Sequence, residues 1–348
     1  MIRRVALSLV LALAWAAPAH AQTAAIPSDP SGFTPRFDLP IRCTLGEDCF
    51  IQNYFDRDPG SGWRDYACGF LSYDGHHGTD FRVLSLARME RGVEVLAAAP
   101  GRVVAVRDGQ PDIALRDQAP GSVAGREAGN AVRVAHGDGW ETQYSHLRRG
   151  SVRVHPGQPV RTGDVLGLVG LSGKTDFPHV DFVVRRNGRE IDPFDPPPAG
   201  DDAGLSPPTC GTAPGEASIW RPEIAAALRY VPTGVLLAGF ASEPVEQRRA
   251  QREEYAGPID ASAGALVFFI ESFGLRAGDR ERVEIEAPDG RVLASAERTV
   301  ERNQAVRFGY VGKRRPGDRW PAGTYTGRYR VERGDAVAVS LRRDLVIR

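Results

Sequence analysis

The residues able to do chemistry are a scattered set of histidines and aspartates. His76-His77-Gly78-Thr79-Asp80 is one group and Pro178-His179-Val180-Asp181-Phe182 is a second, with Tyr144-Ser145-His146-Leu147 between them. Imidazole nitrogen and carboxylate oxygen are both good zinc ligands. His76 and Asp80 are four residues apart and can reach one ion if the chain curves, which Gly78 eases. His179 and Asp181 are two apart in a β-prone run. They therefore share one face, while Val180 and Phe182 take the other. His146 sits on another β-prone run. Taken singly, each has an ordinary explanation: a loop histidine beside Gly and Asp, a His–Asp hydrogen bond at a sheet edge, a strand histidine. The other histidines are explained more easily still. His77 points away from its neighbour, His136 and His155 sit beside turn residues, and His20 lies in a leader.

These groups need elements to hold them. Between Pro40 and Phe194 short β-prone runs alternate with Gly, Pro, Asp and Asn, as in Gly101–Val106, Asn130–Ala135 and Val165–Val169. Alternation and β-branched residues predict strands, and His136-Gly137-Asp138-Gly139 predicts a turn. The sequence predicts a mainly antiparallel β domain over residues 38–197. A stretch dense in Pro, Gly, Asp and Ser over 198–217 predicts a linker. A short helix is expected at Arg221–Leu228, with Pro222 in its first turn. Residues 218–348 return to β character, with Ala265–Ile270, Arg282–Glu286, Arg291–Leu293 and Arg328–Val331 spaced as in a small immunoglobulin-like β-sandwich. That region shows no chemical constellation.

Read in order, the site residues resemble the lysostaphin/LytM-type zinc endopeptidases, which cleave peptide cross-links in bacterial walls. That family carries H-x-G-x-D, a His in a Y-x-H-L-like strand, and G-P-H-x-H-F. Here stand His76-x-Gly78-x-Asp80, Tyr144-x-His146-Leu147 and Pro178-His179-x-Asp181-Phe182. Gly129-Asn130-Ala131-Val132, the turn from His155 to Asp164, and Asn187–Pro193 extend the likeness over roughly residues 60 to 197. The resemblance implies His76, Asp80 and Asp181 as ligands of one zinc ion, with another divalent metal as the alternative. It implies His146 and His179 as the catalytic histidines, and peptide stems or cross-links of peptidoglycan as substrate. Asp181 stands where the family has His. A shorter side chain requires a closer strand or a bridging water. A second anionic ligand leaves the ion a weaker Lewis acid, and harder oxygen ligation suits other divalent metals. A second implied reading is a catalytically degenerate relative that holds the wall or activates a partner wall hydrolase.

Composition bounds the rest. Residues 1–21 have a basic start, a short apolar run and Ala19-His20-Ala21, the pattern of a secretory leader; residues 22–37 read as a flexible lead-in. Export to the periplasm is expected, with secretion as the alternative. No later stretch is apolar enough to cross a bilayer, and no lipid-anchor cysteine follows the leader. Four cysteines in an exported chain favour disulfides. Three pairings are open, and the preferred one is Cys43–Cys49 with Cys68–Cys210. Basic and acidic residues number 44 each, and loss of Arg3 and Arg4 would leave a net charge of −2. That argues against general nucleic-acid binding, which needs a basic surplus. The connection from Gly109 to Gly129 is long enough for a flap over a cleft, with a solvated insertion as the equal alternative.

Overall fold

The computed structural model describes residues 34–197, 210–211, 214–215 and 217–348. The expected leader, most of the lead-in and most of the 198–217 linker lie outside the described residues. The first part of the chain forms strands β1 (Cys49–Asn53), β2 (Thr79–Val83), β3 (Glu94–Leu96), β4 (Gly101–Arg107), β5 (Asn130–Gly137), β6 (Trp140–Leu147), β7 (Pro159–Val160), β8 (Val165–Leu168), β9 (His179–Arg186) and β10 (Arg189–Ile191). Eight of them make one antiparallel sheet in the order β1-β2-β9-β6-β5-β4-β7, with β10 on β9, while β3 and β8 pair separately.

The pattern of β9 shows why this sheet forms. Val180, Phe182 and Val184 alternate along it and are fully buried, against Phe81, Tyr144 and Trp220. Burying each such side chain contributes roughly 1.5–3 kcal/mol. His179 and Asp181 fall on the opposite face because the side-chain period is two. The β5–β6 hairpin closes through Asp138 and Gly139, with φ of 46° and 75°. Positive φ at both central residues is what a two-residue type I′ turn needs, and Asp-Gly accommodates it.

The chain crosses back before the second unit begins. Ile219 and Trp220 pack into the core of the first sheet, Phe37 and Trp220 pair as a bridge, and the short helix α2 (Pro222–Ala227) follows. The disulfides are Cys43–Cys49 and Cys68–Cys210, the second joining residues 142 apart in sequence.

From Gly234 the strands are β11 (Gly234–Ala241), β12 (Ala265–Leu275), β13 (Arg280–Glu286), β14 (Val292–Thr299), β15 (Gln304–Arg314), β16 (Gly323–Arg333) and β17 (Ala336–Ile347). They form two antiparallel sheets, β11-β12-β15 and β14-β13-β16-β17. Phe268, Ile270, Val283, Ile285, Tyr329 and Val331 from both sheets share one core, so this is a β-sandwich. Its fourth strand pairs with the third, whereas in the seven-strand immunoglobulin order it pairs with the fifth. Two short helices in the described region have no counterpart in the sequence reading: α1 (Leu86–Arg91), capped by the Ser85 hydroxyl, and α3 (Gln247–Gln251).

The two units are joined through polar groups that neither exposes. Arg82 on β2 donates to Glu271 on β12 at 3.0 Å, and Gln251 donates to the same carboxylate at 2.6 Å, all buried. Arg82 is two residues from Asp80 and so shares its face. The sandwich therefore docks at the face that carries the histidines and aspartates. Among the described residues no helix is long and apolar enough to cross a membrane.

Candidate metal centre

Strand register assembles the site. Asp80 on β2 lies directly opposite Asp181 on β9, and Ser145 on β6 lies opposite Asp181 from the other side. One row across three strands thus carries two carboxylates and a hydroxyl. His76 arrives from the loop before β2, where its amide bonds to Tyr73 O at 3.0 Å and its carbonyl accepts from Asp56 N at 2.7 Å. Gly78 sits between His76 and Asp80 because nothing larger fits. A Cβ at that position would lie 1.8 Å from Asp181 Oδ1.

The geometry converges on Asp80. Its Oδ1 is 3.3 Å from His76 Nε2 and 3.3 Å from His179 Nε2, while its Oδ2 accepts from Asn53 Nδ2 at 2.7 Å. His76, Asp80 and Asp181 each offer one ligand atom, and these lie within 4.8 Å of one another. His76 Nε2, Asp80 Oδ1 and Asp181 Oδ1 are all buried without a hydrogen-bond partner. Buried polar groups are normally satisfied. Three orphans from the three side chains best suited to hold an ion fit a cation as the missing partner, so the residues present suit the zinc site implied by sequence.

His146 and His179 stand beside this trio with ring centres 4.7 Å apart. Each is fixed through Nδ1: His146 to Ser172 O at 2.7 Å, His179 to Phe177 O at 2.9 Å. A ring nitrogen donating to a carbonyl sets the tautomer, so both neutral rings present Nε2 as the acceptor. His146 has φ 62°, unusual for a residue with a side chain. Such backbone costs on the order of 1–3 kcal/mol and persists where the surroundings enforce it. Here its amide bonds to Ala128 O and its ring to Ser172 O.

Residues 74–193 match the model of peptidase family M23. That stretch belongs to this family. The M23 stretch is similar to the DD-carboxypeptidase/endopeptidase Mpg of Neisseria meningitidis, 40% identical over 65 residues, which are 19% of this chain and 14% of that protein. It is also similar to the peptidoglycan DD-endopeptidase ShyA of Vibrio cholerae, 31% identical over 116 residues, 33% of this chain and 21% of that protein. The chain thus spans less than a quarter of either relative. Among solved structures, it is similar to the catalytic domain of lysostaphin from Staphylococcus simulans, at 21% identity, 40% coverage of this chain, 85% of that one and TM-score 0.27.

Electrostatics in the M23 site follows from crowding of like charge. Burial, then the Asp80 carboxylate, pushes Asp181 up to about 6. Asp80 goes the other way: burial opposes its charge, yet His76 and His179 hold it well below the usual carboxylate range. Burial pulls both His76 and His179 down, and Asp80 outweighs it, so both are raised. Burial, then the neighbouring His179, drops His146 to about 3. His146 is therefore neutral at neutral pH and able to accept a proton.

Several partners of the site were not found from sequence. Asn53 on β1 ties down Asp80. Ser145 hydrogen-bonds Asp181 and is itself held by Gln143 at 3.0 Å. Thr175 approaches His179 Nδ1 at 3.3 Å, and the Tyr73 and Phe177 rings stack on His76 and His179, each at 4.5 Å. Ser145 carries a local signal, since it lies beside His146 in β6; Asn53 carries none. The other histidines lie apart from this trio. His77 pairs with Glu190, and His136 is buried between Pro100 O and Thr142. The 109–129 connection holds one short helical turn, Leu115–Asp117, and its Ala128 carbonyl anchors His146.

Proposed function

We propose that this protein is an exported metal-dependent endopeptidase that hydrolyses peptide cross-links of bacterial peptidoglycan. The observation that carries the reading is the trio of buried, unpartnered ligand atoms on His76, Asp80 and Asp181. Zinc, or another divalent ion, held there would supply the Lewis acidity that acidifies a water and polarises an amide carbonyl. Everything else falls to the chain. His146 and His179, each with Nδ1 tied to a carbonyl, present Nε2 to take a proton from the attacking water and return it to the departing amine. Phe177 and Thr175 hold the His179 ring, and Ser145 and Gly78 let Asp181 lie close to His76 and Asp80. The name of ShyA, a peptidoglycan DD-endopeptidase, supports peptidoglycan as the substrate, and that of Mpg supports an endopeptidase. Two disulfides and the leader-like start support export to the periplasm.

The measurement is paired. Purified chain lacking residues 1–21 is expected to carry about one metal ion per molecule and to release muropeptide fragments from purified peptidoglycan, with release abolished by chelation and by His179→Ala. Chain that holds no metal and releases nothing defeats the reading and leaves a non-catalytic wall-binding or hydrolase-activating role.

A further inference from the structure

The mechanism leaves two cavities between the first sheet and the sandwich unused. About 240 Å³ opens where the first sheet meets the sandwich, beside the metal centre. Two of its lining residues also touch the centre: Asn53 donates to Asp80, and the Tyr73 ring stacks on His76. The cavity is therefore one residue removed from the centre. Its rim holds Trp63, Phe70 and Tyr73, which are 43%, 51% and 51% exposed. Three large aromatics left in water so close together in sequence mark a contact surface rather than scattered exposure.

The opposite wall comes from the sandwich. Arg276 supplies the charge; its guanidinium carbon lies 5.7 Å from the centre of the Phe70 ring, and no carboxylate lines the cavity. Among the described residues Arg276 makes no ion pair. The larger cavity on the other flank, about 420 Å³, is different. There the arginines face Glu90, Asp112, Asp117, Asp176 and Glu271, and Arg82–Glu271 and Arg248–Asp117 are already paired. The larger cavity thus mixes both charges, whereas the smaller one presents Arg276 with no carboxylate in its lining.

We propose that this inter-domain cavity is a substrate subsite that seats a stem-peptide carboxylate on Arg276, with the adjoining chain against Trp63 and Phe70. It rests on the reading of the centre as a wall endopeptidase and adds what that reading lacks: a role for the sandwich in substrate recognition. A charge-assisted pair of this kind changes affinity on the order of tenfold.

Trp63 gives a readout that needs no turnover. Its fluorescence is titrated in the full chain with an uncrosslinked stem tetrapeptide bearing free carboxylates, and with the same peptide amidated. The wild type is expected to prefer the free acid about tenfold. Arg276→Gln is expected to erase that preference, Arg276→Lys to keep part of it, and Arg276→Gln to raise KM on peptidoglycan with kcat kept. Equal affinity of the wild type for both peptides, binding of neither, or a preference that survives Arg276→Gln overturns the subsite. Binding with the expected preference but no hydrolysis by the wild type sinks the endopeptidase reading and leaves the subsite standing. Thermal melting of each variant separates loss of the subsite from loss of the fold.

Discussion

Each half of the molecule buries a cluster of acidic side chains, and the two are finished differently. In the sandwich, Glu281 accepts from Arg298, Arg307 and the Tyr329 hydroxyl, and Asp279 takes both arms of Arg333. In the M23 stretch, Asp80 and Asp181 each keep one buried oxygen without a hydrogen-bond partner. Among the described residues, no such atom occurs between Gly234 and Ile347. Buried carboxylates that are fully paired hold a fold together. Buried carboxylates left half-paired beside a histidine are shaped for something that arrives later. Both halves hold carboxylates away from water, so the count of satisfied oxygens is what separates the two clusters.

The sharpest way to break that comparison is to neutralise one carboxylate in each half without changing its shape. Asp80→Asn is expected to abolish metal binding and to lower hydrolysis of peptidoglycan by about a thousandfold or more, with the melting temperature kept within a few degrees. Glu281→Gln is expected to do the opposite. It leaves three donors short of an anion and costs about 1–3 kcal/mol of stability, discounted because Arg298 and Arg307 are partly solvated, while metal content and kcat hold. Metal analysis and denaturant melts on the two variants decide it. If Glu281→Gln loses metal, or Asp80→Asn costs as much stability, the division between the halves is wrong.

A smaller effect is expected from Gly78→Ala. The added Cβ would have to occupy space 1.8 Å from Asp181 Oδ1, so the carboxylate must withdraw from the trio. Metal affinity is expected to fall by about 10–100-fold, measured by competition with a chromogenic chelator. Asp181→His is expected to retain metal and Asp181→Ala to lose it. Gly290, which meets nothing within 4 Å in the β13–β14 turn, is the sandwich control, although its φ of 82° makes Gly290→Ala cost stability alone.

How much of this was readable from sequence depends on distance along the chain. Period-two alternation in β9 puts His179 and Asp181 on one face, and Asp138-Gly139 marks the β5–β6 turn. These are local signals. The order of His76, Asp80, His146, His179 and Asp181 carried the site because a family resemblance supplied the folding that brings them together. What was missed has no local trace. Asn53 reaches Asp80 across 27 residues, Glu271 reaches Arg82 across 189, and Trp220 fills a core whose strands end long before it. The inter-domain cavity could not be read for the same reason, since its two walls come from different ends of the chain.

The least drastic way to sharpen the comparison is pH. Asp181 is raised from 3.8 to about 6 in the metal-free site, chiefly by burial and then by Asp80. A carboxyl raised on folding binds its proton more tightly in the folded chain, so its stabilising effect is present at low pH and is lost as pH rises through about 6. The Asp181 share of the chelated protein's stability should therefore be lost between about pH 4 and 6. Asp80 contributes nothing of the opposite sign in that window, because its depressed value places its dependence below 3.8, whereas His146, dropped to about 3, does. Asp192 does contribute with the same sign, since burial raises it also to about 6 beside Arg57. The difference between wild type and Asp181→Asn isolates the site's share. Melting curves of the two chelated proteins should converge near pH 4 and be fully separated above pH 6, with the wild type lower. Loading the wild type with zinc should reverse its slope, because a metal that needs Asp181 ionised competes with the proton and binds more weakly as pH falls below about 6. Parallel curves for the two chelated proteins would mean that Asp181 is already satisfied without metal, and the difference between the two acidic clusters would disappear.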